Sequence, residues 1–281
     1  MATVSELVLY PIKSCAGVAL AEAVLGAAGL SANGVHDREW MVVDADGQFL
    51  TQREYPRMAL VVPRVLGRSL LVTAPAMAPL ELRLAHDPAA PTRHVKIWDD
   101  LLPAADCGDA AAAWFTQVLG AACRLVRFDP GVQRRTSTKW TGGVPAHTRF
   151  ADGYPLLLIG AASLADLNGR LAAAGRAALP MNRFRPNIVV DGLEPFEEDY
   201  VASFSAPGID IAPVKPCARC PIPAIDQASG VPGPDPLDIL QAYRAKAQMD
   251  GAVCMGMNCI VIEGQGALLR VGQQLAVTLS F

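Results

Sequence analysis

Val214-Lys215-Pro216-Cys217-Ala218-Arg219-Cys220-Pro221 puts two thiols, two cations and two ring-locked residues into one short run of an otherwise apolar chain. Proline fixes φ and removes a backbone donor, so this run is denied a helix interior. It reads as a strand end that opens into the turn-rich Asp226-Gln227-Ala228-Ser229-Gly230, with Pro232, Pro234 and Pro236 beyond. Side chains that bind or react are concentrated on such loops. The thiolate is the form of cysteine that attacks electrophiles and binds soft metals, and cationic neighbours favour it. Lys215 and Arg219 are those neighbours, and Cys220 is the candidate working atom.

A Cys-x-x-Cys pair fits several chemistries. A thioredoxin-like couple calls for a helix beginning on the pair, whereas Pro221 and Pro223 follow and no helical pattern begins before Leu237. A structural zinc site calls for a second close pair of ligands. Cys254 and Cys259 supply a loose one, four residues apart in an apolar run. Both are disfavoured without being closed, and two further readings stand beside them on these residues: a thiolate serving a metal or carrying sulfur, and a pair of small buried hydrophobes.

The chain totals narrow the company this site keeps. The 281 residues, 52% hydrophobic and 18% charged, exclude a disordered chain and allow two domains or one large one. Mean hydropathy is +0.27, yet no apolar run reaches the roughly 18 residues that span a bilayer, so a soluble protein without a membrane partner is expected. The start, Met1-Ala2-Thr3-Val4-Ser5-Glu6-Leu7, has no secretion signal. Seven scattered cysteines do not form a disulfide framework, which points to reduced thiols and a cytoplasmic location. A net charge of −3 gives no global field for nucleic acid, so any anion site must be local.

Val4 to Tyr10 reads as a strand entering a turn that presents Lys13 and Ser14, a pair able to hold a phosphate by one charge-assisted bond and one hydroxyl bond. Arg38 lies where a hairpin begins, around the Asp46-Gly47 turn. Short apolar runs from Met58 to Ile97 suggest a small β-rich unit, followed by a helix with Asp109 as cap and Gly120 as stop. The polar stretch 129–149 reads as a linker, dividing the chain into 1–128 and 129–281. Beyond it come a strand over 154–160 and a helix capped by Ser163 with Leu164, Leu167 and Leu171 on one face. The donor-rich Asn182-Arg183-Phe184-Arg185-Pro186-Asn187 follows. There the proline predicts an extended Arg185, with the 185 and 187 side chains gripping an anion from one side. A helix over 237–247, a hairpin pairing 260–264 with 268–272 and a closing strand over 275–279 complete the pattern. No Gly-x-Gly-x-x-Gly and no Walker loop occurs, and the four histidines are scattered.

Six ordered motifs carry a resemblance: Tyr10-Pro11-Ile12-Lys13-Ser14, Asp37-Arg38-x-Trp40, Phe150-Ala151-Asp152-Gly153-Tyr154-Pro155, Phe184-Arg185-Pro186-Asn187, Lys215-Pro216-Cys217-x-Arg219-Cys220 and Arg270-Val271-Gly272. Together they resemble the MOSC family, in particular its amidoxime-reducing members with an N-terminal MOSC-associated β domain. The resemblance implies an α+β, β-rich fold: an N-terminal β domain plus a MOSC-type β-barrel with flanking helices. It implies a molybdenum-molybdopterin cofactor with Cys220 as the metal ligand and catalytic centre. Lys13, Ser14, Arg38, Arg185 and Asn187, with backbone near Gly153 and Tyr154, would bind its phosphate and pterin. The implied reaction is reduction of an N-hydroxylated small molecule. Bacterial relatives append a ferredoxin domain that is not found before Phe281, so a separate electron donor, a ferredoxin or flavin reductase, is expected. Met255-Gly256-Met257-Asn258 departs from the family's pocket wall, so substrate preference does not carry over. The family also includes sulfurase domains, which makes a Cys220 persulfide carrier the rival reading and a non-catalytic cofactor-binding protein a third.

Overall fold

Ala2 and Val4, and then Leu7 and Leu9, point inward along the first strand, Ala2–Leu9. The change of phase falls where its register against Ile188–Asp191 slips between Val4 and Glu6, because a bulge adds one residue and turns the following side chains over. The structure, a computed structural model, describes residues Met1–Ser280.

Seven strands close on themselves in the order Leu156–Gly160, Ile188–Asp191, Ala2–Leu9, Gln274–Leu279, Val201–Ala206, Ile209–Ala218 and Ala252–Glu263, which returns to Leu156–Gly160. Closure leaves no edge for another chain to pair with. Only Leu156–Gly160 and Ile188–Asp191 run parallel, and the crossover between them is helix α2 (Ala161–Ala173). It buries Leu164, Leu167 and Leu171 against Ile159, Phe184 and Leu240. Ile188, Val189 and Val190 are therefore buried on both faces, as a strand covered from both sides must be.

Besides the two-stranded pair of Arg134–Arg135 with His147–Thr148, three smaller antiparallel sheets flank the barrel. One runs Thr92–Ile97, Asp100–Asp106, Arg124–Phe128, Trp40–Val43; another joins Leu268–Arg270 to Glu22–Gly26, Gly29–Ala32 and Val35–His36; the third is Val62–Leu66, Ser69–Thr73, Leu80–Arg83. Helix α1 (Asp109–Leu119) buries Trp114 and Phe115, and α3 (Leu237–Arg244) buries Leu240. The fold is α+β and β-rich. Strands from both sides of residue 128 share sheets, since Ala2–Leu9 is a barrel stave and Glu22–Gly26 pairs with Leu268–Arg270.

That last pairing corrects the expected hairpin: Leu268–Arg270 pairs with Glu22–Gly26 rather than with Ala252–Glu263. Local spacing favoured the hairpin, but the barrel already occupies both edges of Ala252–Glu263. Neither expected helix cap makes a side-chain bond, the N-caps being Gly108 and Gly160. Asp109 turns to Arg124, and Ser163 Oγ donates to the buried Glu198. Helix α3 stops at Arg244, ahead of the expected 247, because Ala245–Lys246 joins the end of Ala252–Glu263. Among the described residues, no helix is long and apolar enough to cross a membrane.

Candidate functional site

Tyr10 directly follows the first strand, and its buried ring carries two cations: the guanidinium carbons of Arg38 and Arg185 lie 4.4 and 4.3 Å from its centroid. An aromatic face attracts each cation and so brings two like charges together. Arg38 has a counter-ion, since its Nη1 donates to Asp37 Oδ2 at 2.5 Å and to Asn187 Oδ1 at 3.1 Å. Arg185 is buried and, among the described residues, has neither a hydrogen-bond acceptor nor a carboxylate partner. Burial pushes its guanidinium below its ordinary pKa, against the opposing influence of Tyr10.

Lys13 Nζ donates to Phe150 O at 3.0 Å and Asp152 Oδ1 at 2.5 Å. Burial lowers the Lys13 ammonium, with Asp152 resisting. Desolvation beside the buried Lys13 opposes ionisation of the otherwise exposed Asp152 side chain, but the Lys13 charge overrides it and holds the carboxyl below the usual carboxylate range. Ser14 (φ 63°), Arg38 (φ 46°), Trp98 (φ 55°) and Arg185 (φ 57°) all adopt the left-handed region, and all four line one cleft. Each such residue costs about 1–3 kcal/mol, and this strain persists only where the surroundings over-determine it. Arg185 is thus not extended as its following proline predicts; the Tyr10 ring and the buried Phe184 beside it fix the turn instead.

The thiols line the same cleft. Ile209–Ala218 slips register against Ala252–Glu263 between Pro213 and Lys215 and again between Pro216 and Ala218. Proline has no N–H for the ladder, so bulges accommodate it. Lys215, Cys217 and Cys220 then line the cleft. Arg219 Nη1 donates to Cys217 Sγ at 3.2 Å and Nη2 to Phe184 O at 2.8 Å, while its buried Nε has no partner among the described residues. Cys220 is half-buried and, among the described residues, has no hydrogen-bond partner. The loop after it is pinned by Arg183, which bonds Ala224 O and Asp226 Oδ2, and by the paired Gln52 and Gln227 amides. Burial pushes the other five thiols up: Cys15 and Cys107 to about 12, Cys254 to about 11, and Cys123 and Cys259 likewise upward. Buried apolar thiols of this kind are inert. Among the described residues, no three His, Cys, Asp or Glu side chains converge to hold a metal.

Lys13, Ser14, Arg38, Gly153, Tyr154, Arg185, Asn187 and Cys220 all line this single cleft, whose volume is about 470 Å³. Asn187 differs from its expected role. Its side chain bonds Val8 O, Asp37 Oδ1, the Leu157 N–H and Arg38, so it is spent on orienting Arg38 rather than free to grip an anion. Arg134 was not anticipated. It is buried in the expected linker and gathers the Arg149, Ala151 and Asp152 carbonyls, shaping the loop that carries Gly153. Its only sequence signal was an Arg pair in a Gly/Pro-rich segment. Lys215 lies 5.7 and 5.8 Å from the Trp140 and Tyr154 rings, and the buried Tyr154 hydroxyl has no partner among the described residues.

Residues 1–122 match the MOSC N-terminal beta barrel domain, and residues 145–276 match the MOSC domain. The chain belongs to the MOSC family. Similar relatives include human mitochondrial amidoxime reducing component 2, 36% identical over 86% of this chain and 72% of that protein. Mouse mitochondrial amidoxime-reducing component 1 is 31% identical over 86% of this chain and 71% of its own length. Bovine molybdenum cofactor sulfurase is 30% identical over 90% of this MOSC chain, which spans 30% of that longer protein.

Proposed function

We propose that the cleft holds a molybdenum-molybdopterin cofactor and that the protein reduces N-hydroxylated small molecules with electrons from a separate donor protein. The observation that carries this reading is that the buried Arg185, a cation without a carboxylate partner among the described residues, lines the same cleft as the unpartnered Cys220. A buried unpaired charge is costly unless something completes it. Lys13 is set against Asp152 and Arg38 against Asp37, whereas Arg185, Lys215 and Arg219 line the cleft without a carboxylate among the described residues, and a phosphate carrying about −1.5 to −2 charges suits such a surplus. The orphaned Arg219 Nε and Tyr154 hydroxyl lie on the same cleft and offer further polar contacts. The half-buried thiol is the soft donor that molybdenum accepts.

When bound, the cofactor supplies the two-electron chemistry that converts N–OH to N–H and water with uptake of two protons. The chain's own part is to bind and orient. Lys13, Ser14, Arg38 and Arg185 hold the charged tail. Cys220 ligates the metal, and Arg219 keeps Cys217 in a hydrogen bond and away from that role. The similarity to amidoxime reducing components supports the reductase class. The similarity to a cofactor sulfurase supports a second reading, in which Cys220 carries a persulfide.

Metal and sulfur analysis of purified protein separates the two. The reductase is expected to contain molybdenum, to lose it in Cys220→Ala, to retain it in Cys217→Ala, and to reduce benzamidoxime with a reduced viologen. Cyanide-releasable sulfur without metal would establish the carrier instead. Molybdenum retained by the 220 variant and lost by the 217 variant would overturn the ligand assignment.

A further inference from the structure

Asp199 carries two cations on one oxygen: Arg244 Nη2 stands 2.7 Å and Lys246 Nζ 2.5 Å from its Oδ2, and the Asp199 side chain is 1% exposed. The turn that holds it is fixed separately, since the neighbouring Glu198 is buried and takes bonds from Ser163 Oγ and the Gly160 N–H. The Arg244 guanidinium also lies 4.1 Å from the centroid of Phe196, whose backbone is left-handed at φ 62°. Stability does not account for this ion cluster, because exchanging a buried ion pair for apolar side chains of similar volume is often neutral or stabilising. The best-attested use of buried ions is to fix a register. Here a register needs fixing: the ladder between Ile209–Ala218 and Ala252–Glu263 slips between Pro213 and Lys215 and again between Pro216 and Ala218, directly before the thiols.

Arg244 meets that ladder at its end. Its Nε donates to Cys254 O at 3.0 Å, and Cys254 is the partner of Ala218 in the ladder. The preceding carbonyl, Val253 O, accepts the Arg219 N–H at 2.8 Å. Arg219 in turn donates from Nη1 to Cys217 Sγ and from Nη2 to Phe184 O. A chain of contacts thus runs from the Asp199 carboxylate to one thiol of the pair and leaves the other untouched.

We propose that Arg244 is a positioning residue: held by Asp199, it fixes the Val253-Cys254 peptide and, through Val253 O, the backbone of Arg219, so that the Arg219 guanidinium stays on Cys217 and Cys220 is left as the open thiol. This rests on the reading of Cys220 as the working sulfur and adds what sets the choice between the two thiols. A hydrogen bond weakens steeply as its angle falls, so a small swing of the Val253-Cys254 peptide frees Cys217 to compete.

The test is competitive alkylation of the metal-free full chain with iodoacetamide at one pH, followed by mass spectrometry of the Cys217 and Cys220 adducts. In Arg244→Met the Cys217-to-Cys220 ratio is expected to rise severalfold; Lys246 remains on Asp199, so no buried carboxylate is orphaned. Arg219→Met is expected to raise the ratio as well, and the double variant to add nothing to Arg219→Met alone, the non-additivity of residues acting in one network. Leu240→Ala, a core truncation on the same helix, is expected to lower Tm and leave the ratio unchanged, which separates positioning from general loosening. If Arg244→Met fails to fold, Asp199→Asn is expected to raise the ratio in the same direction. An unmoved ratio in Arg244→Met, or in Asp199→Asn where it stands in, refutes the proposal, as does an additive double variant or an equal rise in Leu240→Ala. The molybdenum content of the wild type is read separately: its absence removes the reductase reading while a raised ratio keeps the positioning, and molybdenum with an unmoved ratio does the reverse.

Discussion

Replacing Arg185 with methionine separates a structural cation from one kept for a ligand. Methionine preserves the unbranched stem and inherits the same left-handed backbone, so the change is confined to the charge. Burying an ion costs several kcal/mol, and Arg185 bears that cost with Arg38 stacked on the same Tyr10 ring. The contact with Tyr10 returns about 0.5–2 kcal/mol. Without cofactor, the variant is expected to be more stable than the wild type by about 1 kcal/mol, which for a domain of 150–250 residues is roughly 2–4 °C in Tm. With cofactor the sign reverses: a lost charge-assisted hydrogen bond of about 1.5–3 kcal/mol weakens retention roughly tenfold to a hundredfold. Thermal unfolding of protein made in a host unable to synthesise the cofactor measures the first quantity. Molybdenum and pterin content of protein made in a competent host measures the second. A variant that is less stable when metal-free yet retains full molybdenum would refute the reasoning, because Arg185 would then be a core residue.

Three further outcomes are expected. Asn187→Leu removes four side-chain bonds and leaves buried Asp37 short of a donor, which should lower stability in urea unfolding by about 2–4 kcal/mol. Gly256→Ala is expected to cost about 3 kcal/mol or more in the same assay, since φ is 77° and a Cβ there would stand 2.5 Å from Ile159 Cγ1 and 2.8 Å from Leu158 O, where the barrel closes. Burial alone would raise the Asp106 carboxyl, but Arg124, Arg93 and the Gly108 N–H hold it at about 2, below its ordinary 3.8. A carboxyl depressed by folding stabilises the protein above its unfolded pKa, and that contribution is lost as pH falls through about 4 to 2. With the arginines partly exposed it is worth about 1–2 kcal/mol; Arg124→Met should flatten the stability–pH curve in that window.

The local features of the chain were plain in its sequence wherever one residue decides them. Gly120 ends α1 in the left-handed conformation, and the Asp46-Gly47 turn folds back to pair Val43 with Phe49. The leucine stripe of α2 faces the core, and the thiol pair stands at a strand end beside an open cleft. What escaped notice depends on pairing between distant segments. Leu268–Arg270 had an adjacent strand as its nearest candidate and paired with Glu22–Gly26 instead. Asn187 looked like a free donor because its four partners lie on three remote segments. Arg134 is polar by type and buried by position, with carbonyls fifteen or more residues away replacing water. Spacing could nominate the cations around Tyr10; only the fold reveals which of them already has a carboxylate.

Because Ala2 lies against Leu275 and Thr3 against Gln274, the barrel lacks a stave until nearly the whole polypeptide has been synthesised. Contacts so remote along the chain make for slow assembly, and in the interim the apolar inner faces of six strands stand exposed and in need of protection. The same arrangement makes cutting the chain near residue 128 a poor route to an independent C-terminal half. Such a fragment would have to regain its missing stave from a separately supplied N-terminal peptide, the basis for a split-protein complementation assay.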